Sequence, residues 1–221
     1  MEFDFDALPA RERYKLMVST VVPRPIAWVV TTDAEGRVNA APYSFFGLLS
    51  DDPPILSVGI APRPDGELKH TLLNIETRRE FTVCLVSDAT AEAMNVTAAD
   101  VPAGVDEVAL AGLTPVPSTR IGVPRIAESP VAMECVVHDR LPLGRRVAVL
   151  GRIIALHVHD DCVLDPQRRY IDTPKLDLVG RLHGESAYAR IRDRFDLARP
   201  DTARITEAAA AGRPVPRTER F

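Results

Sequence analysis

The chain has 221 residues, 46% apolar and 26% charged, a composition that suits a folded globular protein and excludes disorder along its whole length. Its 27 Lys and Arg against 31 Asp and Glu give a formal charge of -4 with both signs interleaved. The basic excess of a phosphate-backbone binder is therefore missing, and nucleic acid is not an expected partner. At the N-terminus, MEFDFDALPARERYK is acidic where a secretory signal is basic and then apolar, so a cytoplasmic protein is expected. Ile26 to Thr32, IAWVVTT, is rich in β-branched and aromatic residues and runs into the turn Asp33-Ala34-Glu35-Gly36, the first arm of a hairpin. Its partner is Arg37 to Phe46, where Pro42 cannot donate to a ladder and demands an edge or a bulge. The uncharged run Val38 to Ser50 is broken by Asn39, Pro42, Ser44 and Gly47 and falls short of the roughly 20 apolar residues of a membrane span.

A third strand is expected over Ile55 to Ile60, after the polar stretch Ser50 to Pro54. Glu67 to Arg79, with Leu68, Leu72 and Ile75 at helical spacing and arginines in the last turn, predicts a helix. Phe81 to Val86 reads as a buried strand, and Asp88 to Val96 as a short helix capped by Ser87 or Asp88. Thr97 to Ser129 dissolves into Gly and Pro and predicts loop with at most short helices. Val131 to His138 and Arg146 to His159 predict two more strands, joined through Leu141-Pro142-Leu143-Gly144, the second kinked at Gly151. Residues 195–221 are arginine-rich and Pro-punctuated, with an Ala-rich piece at Thr206 to Ala211, and predict an arm or tail beyond a domain of residues 1–194. Six strands without βαβα alternation predict a mainly β, α+β fold, an antiparallel barrel with peripheral helices. Cys84, Cys135 and Cys162 are odd in number and far apart, which suits reduced, partly buried thiols.

The most informative juxtaposition is Asn39-Ala40-Ala41-Pro42-Tyr43-Ser44-Phe45-Phe46 with Lys69-His70-Thr71 at the opening of a helix. Small residues let a flat ring lie against backbone, and the amide and hydroxyl groups can bond its polar edge. An ammonium, a hydroxyl and helical N–H groups suit a phosphate. Spacing alone leaves open a Pro-bulged strand beside a helix whose first turn merely holds Lys and Thr. There is no Gly-x-Gly-x-x-Gly after a strand and no Gly-x-x-x-x-Gly-Lys-Ser/Thr, so neither a Rossmann fold nor a P-loop is indicated. His157 and His159, at i and i+2 on a strand, could share a metal if a third ligand joined them, with His138 across the hairpin as a candidate. The plainer reading is the polar end of a strand, and no metal is assigned. Asp106-Glu107 and Asp160-Asp161 have neither a nucleophile nor an apolar pocket beside them and read as solvated surface.

Pro23-Arg24-Pro25-Ile26-Ala27, Thr31-Thr32-Asp33 with Gly36, Asn39 to Phe46, Lys69-His70-Thr71 with Asn74-Ile75, Arg181-Leu182 with Gly184, and Tyr188-Ala189-Arg190 together resemble the flavin reductase-like, FMN-binding split-barrel family, flavoredoxin type included. The likeness runs in order from about Tyr14 to Arg190. It implies a six-stranded Greek-key split barrel, usually a homodimer, that holds FMN noncovalently and exchanges hydride or electrons with NAD(P)H, an oxygenase or an electron-transfer protein. By resemblance, Asn39, Ala41, Pro42, Tyr43 and Ser44 would contact the ring and ribityl chain. Lys69 and Thr71 would hold the phosphate, with Arg63 as a second cation, and Tyr188 would cover the flavin. Two departures stand out: His70 replaces an acid between the lysine and the threonine, and His183-Gly184 replaces a double glycine. No catalytic side chain is implied, since the flavin carries the chemistry. Alternatives of the same shape are an electron carrier with little direct NAD(P)H activity and a non-catalytic ligand-binding split barrel.

Overall fold

The computed structural model describes every residue except 100, 102–104, 185 and 216–221, and the chain divides into two units, Met1–Arg190 and Ile191–Phe221. In the first unit, Ala27–Thr32 forms strand β1, and all six of its residues are buried. Side-chain alternation sends Ala27 and Val29 into one apolar cluster and Trp28 and Val30 into another, so β1 is central and covered on both faces. It lies between β2 (Val38–Tyr43) and β5 (Glu80–Leu85), antiparallel to both. With β3 (Phe46–Asp51), β4 (Pro54–Ile60), β8 (Val131–Leu143) and β9 (Arg146–Val158), these strands form one antiparallel sheet in the order β2-β1-β5-β8-β9-β4-β3. The sheet curls until the segment after β2 meets β4: the Gly59 N–H donates to the Phe45 carbonyl at 2.7 Å, and a Cβ on Gly59 would stand 2.9 Å from that of Phe45. Leu56, Val58, Ile60, Phe81, Val83, Met133, Cys135 and Val149 fill the interior of this split barrel.

The strand count is seven rather than the expected six. Arg37 to Phe46 is not one arm. The ladder leaves off after Tyr43, and Phe46 opens β3, which pairs back onto β4. Pro42 does sit on an edge strand, opposite Trp28. The β8–β9 hairpin turns at Gly144-Arg145, and Leu141 to Leu143 remain paired instead of forming the turn. The irregularity expected at Gly151 falls beside it, on the partner strand: the pairing steps from Val137–Gly151 to Asp139–Leu150 and passes over His138 of β8. A Cβ on Gly151 would come within 2.4 Å of the Phe81 ring, so close packing explains the glycine.

Helix α1 (Ala10–Thr20), which no sequence signal suggested, buries only Val18. Helix α2 (His70–Arg78) begins three residues later than expected; Leu72 and Ile75 enter the barrel cluster while Leu68 stays outside the helix and exposed. The expected short helix is a 3-10 turn, Asp88–Thr90, with a Ser87 capping box, followed by α3 (Ala91–Val96). The stretch after it holds α4 (Glu107–Leu110) and a two-residue pair, β6 (Pro115–Val116) with β7 (Arg125–Ile126). Although irregular, it buries Val108, Leu113, Val123 and Ile126 against Trp28 and Val30 on the outer face of the sheet. Two small pairs, β10 (Val163–Asp165) with β11 (Tyr170–Ile171) and β12 (Val179–Arg181) with β13 (Tyr188–Arg190), complete the unit. In the second unit, α5 (Thr202–Ala210) is capped by Asp201, whose side chain accepts the Ala203 N–H at 3.1 Å.

All three cysteines are free and fully buried, and burial pushes the Cys84 thiol up to about 11, away from the reactive range.

Candidate cofactor site

The edge strand β2 meets the start of α2 through side chains. Asn39 Nδ2 donates to Thr71 Oγ1 at 3.1 Å and reaches Thr31 Oγ1 at 3.4 Å, while Asn74 Nδ2 donates to Thr31 Oγ1 at 3.0 Å. Thr71 is thus fixed, and because it accepts from Asn39 its own hydroxyl proton is directed elsewhere. Lys69 is the N-cap of α2; its side chain makes no capping bond, and the first turn contains no acid to offset the positive end of the helix dipole. Behind it, Arg63 Nη2 lies 3.3 Å from His70 Nε2, and since a guanidinium only donates, the imidazole nitrogen is the acceptor. The Arg63 Nε is buried without a hydrogen-bond partner. A buried cationic donor without an acceptor, beside an ammonium and a helix start, is a donor set for an anion.

Asn39, Ala41, Pro42, Tyr43, Arg63, Lys69 and Thr71 line one cleft, so the structure brings together seven of the nine expected residues. Thr97, Ala98 and Ala99 form its opposite wall; Thr97 accepts the Trp28 indole N–H at 2.9 Å and donates to the Met94 carbonyl at 2.8 Å, so its hydroxyl faces inward. The cleft is open and shallow, with about 430 Å³ of free space up to its mouth and about 60 Å³ available to the centres of water molecules. It can seat a phosphate and one edge of a ring without engulfing a whole nucleotide. A neighbouring cleft, with about 1160 Å³ of free space on the same basis, shares Asn39, His70 and Glu107 with it.

Glu107 corrects the sequence reading. It is 8% exposed, not solvated, because α4 lays it against β2 beside Ala40. Burial pushes its carboxyl above the usual carboxylate range; the nearby Ala40 N–H and the charges of Arg63 and Lys69 work the other way, and Asp106 adds to the rise. The adjacent Asp106 is an ordinary N-cap, accepting the Ala109 N–H at 2.9 Å.

Ser44 and Tyr188 are not among the residues lining this cleft. Ser44 Oγ accepts from Arg24 Nε at 3.3 Å, and the same guanidinium donates to the Val18 and Leu182 carbonyls at 2.6 and 2.9 Å. Arg24 thereby ties α1, the end of β2 and the β12 segment together. The Tyr188 ring lies under the guanidinium of Arg181, 4.6 Å from its centroid.

The histidines of β9 do not converge on a metal. His157 Nε2 lies 2.5 Å from Glu134 Oε1, His159 lies past the end of the strand with its Nε2 2.9 Å from the Ala127 carbonyl, and His138 is exposed, six ladder positions from the Ala132–His157 pair. Among the described residues no group of three or more His, Cys, Asp or Glu side chains is arranged to hold a metal ion.

Residues 18–174 match the model of the flavin reductase like domain, and the chain belongs to that family. An uncharacterized protein of Deinococcus radiodurans is 45% identical over 201 residues, 89% of this chain and 88% of its own. Nitrilotriacetate monooxygenase component B from Bacillus cereus superposes with a TM-score of 0.83 at 32% identity, covering 89% of this chain and 98% of that one. The 2-nitrobenzoate 2-nitroreductase of Pseudomonas fluorescens gives the same score and identity over 91% and 98%.

Proposed function

We propose that this flavin reductase-like protein binds FMN in the β2–α2 cleft and works as an NAD(P)H-dependent flavin reductase. The observation that carries the reading is the meeting of Lys69, Thr71 and the unpartnered Arg63 Nε with the small-residue edge strand Asn39–Tyr43. Lys69, Thr71, Arg63 and the opening N–H groups of α2 hold the phosphate. Ala41, Pro42 and the wall of Ala98 and Ala99 leave a flat ring room against backbone, and Asn39 orients its polar part. Bound FMN supplies hydride and electron transfer itself, so the protein's task is orientation, access and charge. Ser44 and Tyr188, outside the lining of the cleft, are kept in the proposal as contacts for the part of the ring that the shallow cleft does not cover.

Two features support partners. Leu48 and Leu49 on the β3 edge are 71% and 61% exposed, which supplies apolar surface for a second copy of the chain. The Bacillus cereus neighbour is a component of a monooxygenase, and by analogy we propose that reduced flavin is passed to an oxygenase. No helix among the described residues is long and apolar enough to cross a membrane, and we propose a cytoplasmic location.

The test is the absorption spectrum of freshly purified protein, followed by anaerobic addition of NADH, NADPH or dithionite. A flavin spectrum bleached by a nicotinamide is expected. Bleaching by dithionite alone would make the protein an electron carrier, and a colourless protein that takes up no added FMN would refute the reading.

A further inference from the structure

A site assembled for an anion also contains an acid. Glu107 is the only carboxylate among the described residues lining the cleft, opposite Arg63, Lys69 and His70. A solvated glutamate would swing away from an incoming phosphate. This one is 8% exposed and packed between α4 and β2, so its carboxyl stays where the anion arrives. On its other side it borders the neighbouring cleft, where Asp33, Glu35, Arg37 and Asp106 are the charged groups. The Asp33 and Glu35 carboxylates are paired with Arg37 at 2.6 and 3.0 Å, which leaves Arg63, Lys69, His70 and Asp106 as the charges that chiefly act on Glu107. Ionised Glu107 balances the cations of an empty cleft. Beside a bound phosphate the same charge is repulsive, and a buried carboxyl relieves that repulsion by taking a proton.

We infer that Glu107 is a reserve counter-ion: it neutralises Arg63 and Lys69 in the free protein and becomes protonated when a phosphate-bearing ligand enters, coupling ligand binding to proton uptake. This rests on the proposed FMN reading for the identity of the ligand. Binding therefore tightens as pH falls, toward a limit of about tenfold per pH unit while one proton is fully coupled.

Calorimetric titration with FMN, in buffers of different ionisation enthalpy, counts the protons. Wild type is expected to take up protons on binding. Glu107→Gln keeps the side chain's shape and an acceptor oxygen; it is expected to bind FMN about tenfold more tightly near pH 8 and to take up correspondingly fewer protons. Every other group is common to both proteins, so the difference in proton uptake isolates Glu107. Riboflavin, without the phosphate, should bind the two proteins alike. Infrared spectra of wild type give a second readout that needs no variant: a protonated-carboxyl band is expected to grow on FMN addition. Equal proton uptake by both proteins, or no growth of that band, overturns the role of Glu107 and leaves flavin binding standing. Failure of both proteins to bind FMN overturns both.

Discussion

Glu134 and the Arg63 Nε sit at opposite extremes of polar satisfaction. Glu134 is fully buried on β8, and its two oxygens receive the Thr119 N–H at 2.7 Å, the Thr119 hydroxyl at 3.0 Å, the Arg120 N–H at 2.7 Å and His157 at 2.5 Å. Burial opposes its ionisation, yet these donors hold the carboxyl down to about 2. At the β2–α2 cleft Arg63 and Lys69 outnumber Glu107, the helix start is uncapped by side chain, and the Arg63 Nε has no acceptor. Both regions look equally polar in the sequence. The closed network anchors the Thr119-Arg120 loop to the sheet, whereas the open one has bonding capacity left for a ligand.

Substitutions at the two places should therefore fail in different assays. The largest effect expected is on Glu134→Ala, which strands buried donors and should cost about 3 kcal/mol in chemical denaturation while FMN affinity of the folded fraction stays close to wild type. Because the folded carboxyl is held at about 2 against 4.5 unfolded, its contribution is present above pH 4.5 and drains away as pH falls toward 2. An acid titration of the melting temperature should show wild type losing an advantage that the variant never had. Next, Lys69→Ala should weaken FMN about 30-fold, about 2 kcal/mol, with the denaturation midpoint nearly unmoved. A matching loss of stability would erase the distinction between the two regions. Gly151→Ala should cost about 1.5 kcal/mol of stability by driving a methyl into the Phe81 ring, again without a specific binding defect. The smallest effect is expected for Asn39→Ala, about 1 kcal/mol in FMN titration, since it removes the bond to Thr71 and the contact proposed with the ring.

The strands that can be read directly in the sequence are those with unbroken β-branched runs, such as IAWVVTT in β1 and FTVCL in β5. Strand β3 was hidden because the break at Ser44-Phe45 carries no Gly or Pro, so it looked continuous with β2. Helix α1 shows no apolar stripe, since it buries little beyond Val18. Val108, Leu113, Val123 and Ile126 pack from irregular backbone, where no period marks a core residue. In the site, Lys69 and Thr71 could be recognised because a helix start has a chemical signature, and Asn39 to Tyr43 because proline and small residues punctuate a strand. Glu107 could not, because adjacency to Asp106 makes it resemble a solvated pair; the signal available was the apolar Val108 beside it, which α4 buries together with Glu107.

The most direct test of the central claim is a paired fluorescence titration of the protein with FMN and with riboflavin. Saturable FMN binding at least about tenfold tighter than riboflavin binding is expected, because in the proposed site the phosphate alone would engage Lys69, Thr71 and Arg63. Equal affinity for the two flavins, or no binding of either, would contradict it.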